Sequence, residues 1–221
     1  MQDNEKAAPP QEFHATVQVG TQHYGFLNYA PKGRWVSYWH QVVEVIGLHA
    51  RTCLVVGVGD DIVTNVLRRE IAQCESIDID PDLHPTIVGS VTSIPIPPKS
   101  VDVVLCSQVL EHLPFDQFEP AIQEMSRVAR LGIVLSLPQL SRAWSIRVGP
   151  VRRRDREFWV SLPFNRTLPP NDQHYWEVDA KGTPVKKVRQ VLRRYGRITK
   201  DYRVPEHPYH HFWVLSFAAG K

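Results

Sequence analysis

TCLVVGVGDD, residues 52–61, holds the turn from which the rest of the chain can be read. TCLVVG is a short apolar run rich in β-branched residues and ending in glycine, which reads as a buried strand. From Asp60 and Asp61 to Glu70 the pattern reads as a helix, acidic in its first turn and closed by Arg68 and Arg69. The Gly57-Val58-Gly59 turn therefore lies directly between a strand and a helix. Glycine permits such a turn and lets a ligand approach the main chain where a Cβ would block it. Asp78 closes the next strand, 19 residues after Gly59. An acid there can accept hydrogen bonds from both ribose hydroxyls of an adenosine. The plainer alternative is a tight turn followed by a surface aspartate.

Outward from this turn, strand and helix patterns alternate. Residues 32–47 read as a helix, with Trp35, Trp39, Val42, Val43 and Ile46 at helical spacing behind Pro31. Residues 75–79, 86–88 and 101–106 read as strands, 115–129 as a helix and 132–137 as another strand. Such alternation implies a parallel sheet covered by helices. Residues 139–182 break the pattern with three Trp, many Arg and several Pro. Residues 184–195 are again helical, and 197–204 and 210–218 read as two strands too close for a crossover helix, hence antiparallel neighbours. The expected organisation is a mobile segment over 1–30 and one domain over 31–221, with an insertion at about 139–182 that selects substrate.

Two cofactors fit a glycine turn of this kind. A dinucleotide needs a third glycine at the helix start, where its pyrophosphate sits. Asp60 and Asp61 occupy that place and would repel a pyrophosphate, but are compatible with a cationic sulfonium. The segments LVVGVGDD and SIDIDPDLHPTIVGSVTSIPIPPKSVDVVLCSQVLEHLP resemble a class I S-adenosylmethionine-dependent methyltransferase of the small-molecule type over about residues 30–140. The resemblance implies an α/β, Rossmann-like fold with a mostly parallel seven-stranded sheet, an antiparallel last strand and helices on both faces. It implies that Gly57, Val58 and Gly59 hold the methionine portion of S-adenosylmethionine and Asp78 the ribose. Ile79, Ser90 and Val91 would flank the adenine, and Ser107, Gln108 and the Glu111-His112 pair would follow the fourth strand at the active-site edge. The chain departs from the family pattern at Val55, Asp61 and Ser90, where the family has an acid, a glycine and an acid.

Methyl transfer asks mainly for alignment of nucleophile, methyl carbon and sulfur. A hydroxyl acceptor also needs a group to take its proton. His112 is one candidate base, and its alternative is a turn-capping role. His174-Tyr175-Trp176-Glu177 is the second cluster: Trp176 could stack on a ring while His174 and Glu177 serve its polar edge. The alternative there is a packing aromatic between solvated neighbours. A similar segment, with a terminal hairpin like the one carrying His207, His210 and His211, occurs in the resembled family, which places His211 among the substrate contacts. Tyr24, Arg34 and Trp35 form a candidate lid over the cofactor, although Trp35 and Trp39 read more simply as core. No metal is expected: His207, His210 and His211 lack a closed-site spacing.

Composition sets the outer limits. The 221 residues are 43% hydrophobic and 22% charged, ordinary for a globular domain. No apolar run reaches the roughly 18–20 residues of a membrane span. The polar opening MQDNEKAAPPQEF does not read as a secretory leader, and three scattered cysteines make no disulfide framework. The expected compartment is the cytoplasm. The net charge of +3 hides a division: residues 1–140 carry 9 Lys+Arg against 16 Asp+Glu, and residues 141–221 carry 17 against 7. The reading that follows is an O-methyltransferase for a small polar metabolite or glycosidic product, with an anionic or sugar-containing acceptor. Two alternatives stand beside it: a nucleic-acid-directed methyltransferase, motivated by the basic C-terminal portion and its Arg152–Arg154 run, and a cofactor-binding protein without turnover.

Overall fold

A computed structural model describes residues 16–140, 142–148, 156–162 and 173–217. The helices are α1 (Phe26–Tyr29), α2 (Lys32–Gly47), α3 (Ile62–Glu70), α4 (Phe118–Val128) and α5 (Val185–Tyr195). The strands are β1 (Thr52–Val56), β2 (Gln73–Asp78), β3 (Ile87–Val88), β4 (Val101–Ser107), β5 (Ala129–Pro138), β6 (Arg142–Val148), β7 (Arg156–Leu162), β8 (Arg197–Val204) and β9 (His207–Ser216). Seven of them form one sheet in the order β3-β2-β1-β4-β5-β9-β8. β3, β2, β1, β4 and β5 run parallel, and β9 is antiparallel to both β5 and β8. This is the expected mixed sheet with helices on both faces.

The central strands are buried on both sides, and their alternation sorts the core into two layers. Leu54, Val56, Val104, Cys106, Ile133 and Leu135 face the layer built by Ile122 and Met125 of α4 and Val188 and Leu192 of α5. Cys53, Val55, Val103, Leu105 and Val134 face the layer built by Val45 of α2 and Leu67 of α3. A period of two in the strands and about 3.6 in the helices makes this division legible from residue order alone. Because the strand order reverses between β1 and β4, the crevice at their carboxyl ends is the natural place for a ligand.

Two features differ from expectation. On α2, Trp35, Trp39 and Ile46 are 43%, 61% and 41% exposed, and the helix instead buries Ser37, Tyr38, Gln41, Glu44 and Val45. Polar pairing sets this rotation: Tyr38 Oη donates to Asp60, while Glu44 accepts from Lys200 Nζ at 2.7 Å and Tyr202 Oη at 2.8 Å. The aperiodic stretch after β5 contains a separate antiparallel ribbon, β6–β7, which pairs Arg142 with Leu162 through Val148 with Arg156. Arg152–Arg154 lie outside the described residues. Among the described residues, no helix is long and apolar enough to cross a membrane.

Candidate active site

A cleft opens at the carboxyl edge of β1, β2 and β4. Counted with its open mouth it encloses about 1230 Å³. Its floor is the glycine turn. Gly57 has φ +83° and Gly59 φ +56°, a region that L side chains rarely adopt. A Cβ at Gly57 would stand 2.6 Å from Val109 Cγ2, so the turn tolerates no side chain. Asp78 pins it: its carboxylate accepts from the Val58 amide at 2.8 Å and from the Asp80 amide at 3.0 Å. A carboxylate has further lone pairs, so Asp78 can still serve a ribose while holding the turn.

The expected cofactor residues converge here. Gly57, Gly59, Asp78, Ile79, Ser90, Val91, Ser107 and Gln108 all line the cleft. Val58 does so only indirectly, since its side chain is buried and its amide goes to Asp78. Ser107 Oγ lies 2.6 Å from Ser136 Oγ, and the Gln108 side-chain amide donates to the same Ser136 hydroxyl at 3.2 Å. Gln108 itself has φ +55°, an uncommon conformation held by its amide bond to the Ser136 carbonyl. Residues 16–19, His23, Tyr24, Tyr29 and Arg34 complete one wall. The Arg34 guanidinium lies 4.0 Å from the centroid of the Tyr29 ring, and its Nε is buried without a partner. The side-chain-free turn, the acid beside it and this orphaned cation fit S-adenosylmethionine, whose methionine carboxylate would neutralise Arg34.

A second part of the lining is ionisable. Glu111 is fully buried, and neither carboxylate oxygen has a hydrogen-bond partner. Burial pushes its pKa up to about 7, with the neighbouring His174 opposing. His112 Nδ1 lies 2.8 Å from both the Gln173 carbonyl and the Gln18 side-chain oxygen. Burial, then the field of His174, lowers the His112 pKa to about 4, so its imidazole is neutral. His174 Nδ1 is 2.9 Å from Glu177 Oε1. Burial works against charge on His174, but the Glu177 hydrogen bond and the field of Glu111 outweigh it and raise its pKa. The two imidazoles meet edge to face, 4.9 Å between centroids.

The tertiary structure divides the second cluster. His174 faces the cleft. Glu177 is buried behind it, holding His174 and accepting from Tyr209 Oη at 2.6 Å, which makes it a positioning residue. Trp176 is not a stacking platform. It is 3% exposed, packs edge-on against Phe115 and Phe118, and donates its indole N–H to the Leu113 carbonyl. His211 is likewise not a substrate contact. It is buried, stacked on Trp213 at 3.7 Å and bound to Gln139 and Asp201. Of the candidate lid, Tyr24 and Arg34 line the cleft, whereas Trp35 packs on Phe26 and Tyr38 outside it. Sequence reasoning missed Tyr29, His23 and Tyr209 as lining residues; for the first two the signal was the aromatic content of a segment expected to be mobile.

Residues 54–136 match the family described as a methyltransferase domain, the portion from β1 to β5. No curated protein matches the chain. The fold is similar to that of magnesium protoporphyrin IX methyltransferase from Synechocystis PCC 6803, solved with S-adenosylhomocysteine (14% identity, 84% of each chain, TM-score 0.57). It is also similar to the N-methyltransferase NodS from Bradyrhizobium japonicum WM9 (10% identity, 86% of this chain and 89% of that one, TM-score 0.60). The 1,6-didemethyltoxoflavin-N1-methyltransferase from Burkholderia thailandensis aligns over 97% of this chain and 95% of its own, at 14% identity and TM-score 0.53. Residues 54–136 thus match a methyltransferase domain, and the fold around them is shared with solved class I methyltransferases.

Proposed function

We propose that the protein transfers a methyl group to a hydroxyl of a small, polar, sugar-containing or anionic acceptor in the cytoplasm. The observation that carries this reading is that one cleft is lined both by the glycine turn with Asp78 and by the Glu111, His112 and His174 cluster. S-adenosylmethionine supplies the methyl as an electrophile on a sulfonium. Asp78 holds the ribose, and the backbone at Gly57 and Gly59 admits the methionine portion. Ile79, Ser90 and Val91 flank the adenine, and Ser107 and Gln108 close the floor. The Arg34 guanidinium pairs with a carboxylate in the cleft.

The acceptor enters on the side of His112 and His174. A neutral His112 receives a hydroxyl proton, and Glu177 with Tyr209 keeps His174 in place. The basic balance of residues 141–221 favours an anionic or polyhydroxylated acceptor.

Calorimetry with S-adenosylhomocysteine, followed by methyl-transfer assays on a panel of hydroxylated and amine acceptors, tests the reading. Expected are binding of the product cofactor and turnover on hydroxyl acceptors. His112→Ala and His174→Ala should each lower kcat about 10²-fold or more, with little change in cofactor affinity. Full activity in both variants removes them from the reaction. Turnover confined to amines overturns the O-methyl assignment.

A further inference from the structure

We infer that Glu111, His112 and His174 form a binding site for a divalent transition-metal cation. One donor atom from each of the three lies within 4.8 Å of the others. Two independent observations make this more than proximity. First, Glu111 is a fully buried carboxylate with both oxygens unpartnered, and it lines the cleft. An unsatisfied buried carboxylate is costly unless something positive serves it. Its immediate neighbours are the two imidazoles, and no Lys or Arg ion pair reaches it among the described residues.

Second, both imidazoles are oriented as ligands. His112 Nδ1 faces two oxygens, one of them the Gln173 carbonyl, which can only accept, so Nδ1 carries the proton. His174 Nδ1 faces the Glu177 carboxylate and carries its proton for the same reason. On His112 this leaves Nε2 as the nitrogen for a metal. A coordinating histidine typically donates its other N–H to a carbonyl or a carboxylate, and this pair shows one of each.

Two imidazoles and one carboxylate favour zinc, iron, cobalt or manganese over magnesium and calcium. Three protein ligands leave coordination positions open to the cleft, as catalytic sites do. The inference deepens the methyl-transfer reading and rests on it only for what the metal does. There the acceptor oxygen takes an open position and its proton passes to water, so with the metal bound His112 gives up to water the base role it has in the metal-free cleft. The oxygen–methyl bond forms as the methyl–sulfur bond breaks, its electron pair remaining on sulfur.

The test is titration of chelator-treated protein with Zn²⁺, Co²⁺, Mn²⁺ and Mg²⁺ by calorimetry, with the visible spectrum of the Co²⁺ form as a second readout. Expected is one tight site per chain for Zn²⁺ and Co²⁺, with Mg²⁺ at least about 100-fold weaker. Glu111→Gln and His174→Ala should each weaken Co²⁺ binding at least about 30-fold and alter its spectrum, and Glu177→Gln about 10-fold or more. Glu111→Gln removes an unsatisfied buried charge at constant shape, so thermal unfolding should show that variant at least as stable as the unaltered metal-free protein. Absence of stoichiometric binding, or binding by Glu111→Gln and His174→Ala as tight as by the unaltered protein, overturns the site. Titration of the unaltered protein with S-adenosylhomocysteine separates the two readings. Binding of that ligand without uptake of any metal refutes the metal site alone, and loss of both refutes the shared reading of the cleft.

Discussion

The two walls of the cleft are built by different means. The cofactor wall is local: one turn between β1 and α3, the ends of β2 and β4, and the loop after β3. Apart from Arg34 on α2, its residues sit within a few positions of a strand end, and backbone geometry does most of the work. The acceptor wall is assembled over long range. His112 meets His174 and Gln173, 61 positions away, and Gln18, 94 positions away. Tyr209 reaches Glu177 across 32 positions. A wall made of strand ends suits a cofactor that never changes. A wall made of loops can be rebuilt for each acceptor while the sheet stays fixed.

Substitutions can break or sharpen this contrast. The largest effect is expected where a residue of the acceptor segment belongs to the core. Trp176→Ala should lower unfolding free energy by about 3–5 kcal/mol in denaturant titrations. Unchanged stability with altered acceptor choice would return Trp176 to the substrate side. Next comes Gly57→Val, which places a branched side chain at φ +83° against Val109. It should weaken S-adenosylhomocysteine binding about 100-fold or more, close to 2.7 kcal/mol. Retained affinity would show that the cofactor does not approach this turn.

Asp78→Ala removes a carboxylate that serves two backbone amides. Cofactor affinity should fall about 10- to 30-fold, and Asp78→Asn should recover part of it. An Ala variant with normal affinity would break the assignment of Asp78 to the ribose.

The smallest effect concerns the far edge of the sheet. Burial alone would raise the pKa of Asp201, but hydrogen bonds from His211 and Arg189 outweigh it and hold the carboxyl well below the usual carboxylate range. A carboxylate with a depressed folded pKa stabilises the protein above its unfolded pKa, about 4. That contribution fades as pH falls from there through the folded value. Asp201→Asn should therefore lower Tm at neutral pH, and the gap from the unaltered protein should narrow on acidification. A gap that stays constant with pH would show that the ion pair contributes nothing there.

The sequence showed the cofactor wall well because its determinants are periodic or punctuated. β-branched runs, a glycine pair at a strand end and an acid at the next strand end are all short-range signals. Trp176 and His174 were harder to sort. Two positions apart in an aperiodic segment, they go to opposite fates: Trp176 into the pocket of Phe115 and Phe118, His174 into the cleft. No period separates inward from outward without a regular helix or strand. The apolar stripe of α2 misled for a related reason. Helical spacing marks residues that share a face, but Tyr38 and Glu44 chose which face is buried, through partners at Asp60, Lys200 and Tyr202.

What the sequence determined by itself is the doubly covered sheet, the turn that admits a cofactor and the acid that steadies it. These follow from the steric rules of short peptide segments, which act before the chain is packed. What only the tertiary structure decided is the state of the ionisable wall. A carboxylate is unpartnered, and an imidazole neutral, only relative to groups that folding brings near. Glu111 reads in the sequence as an ordinary acid beside a histidine. In the folded chain it is enclosed, without a hydrogen-bond partner for its carboxylate, beside two imidazoles.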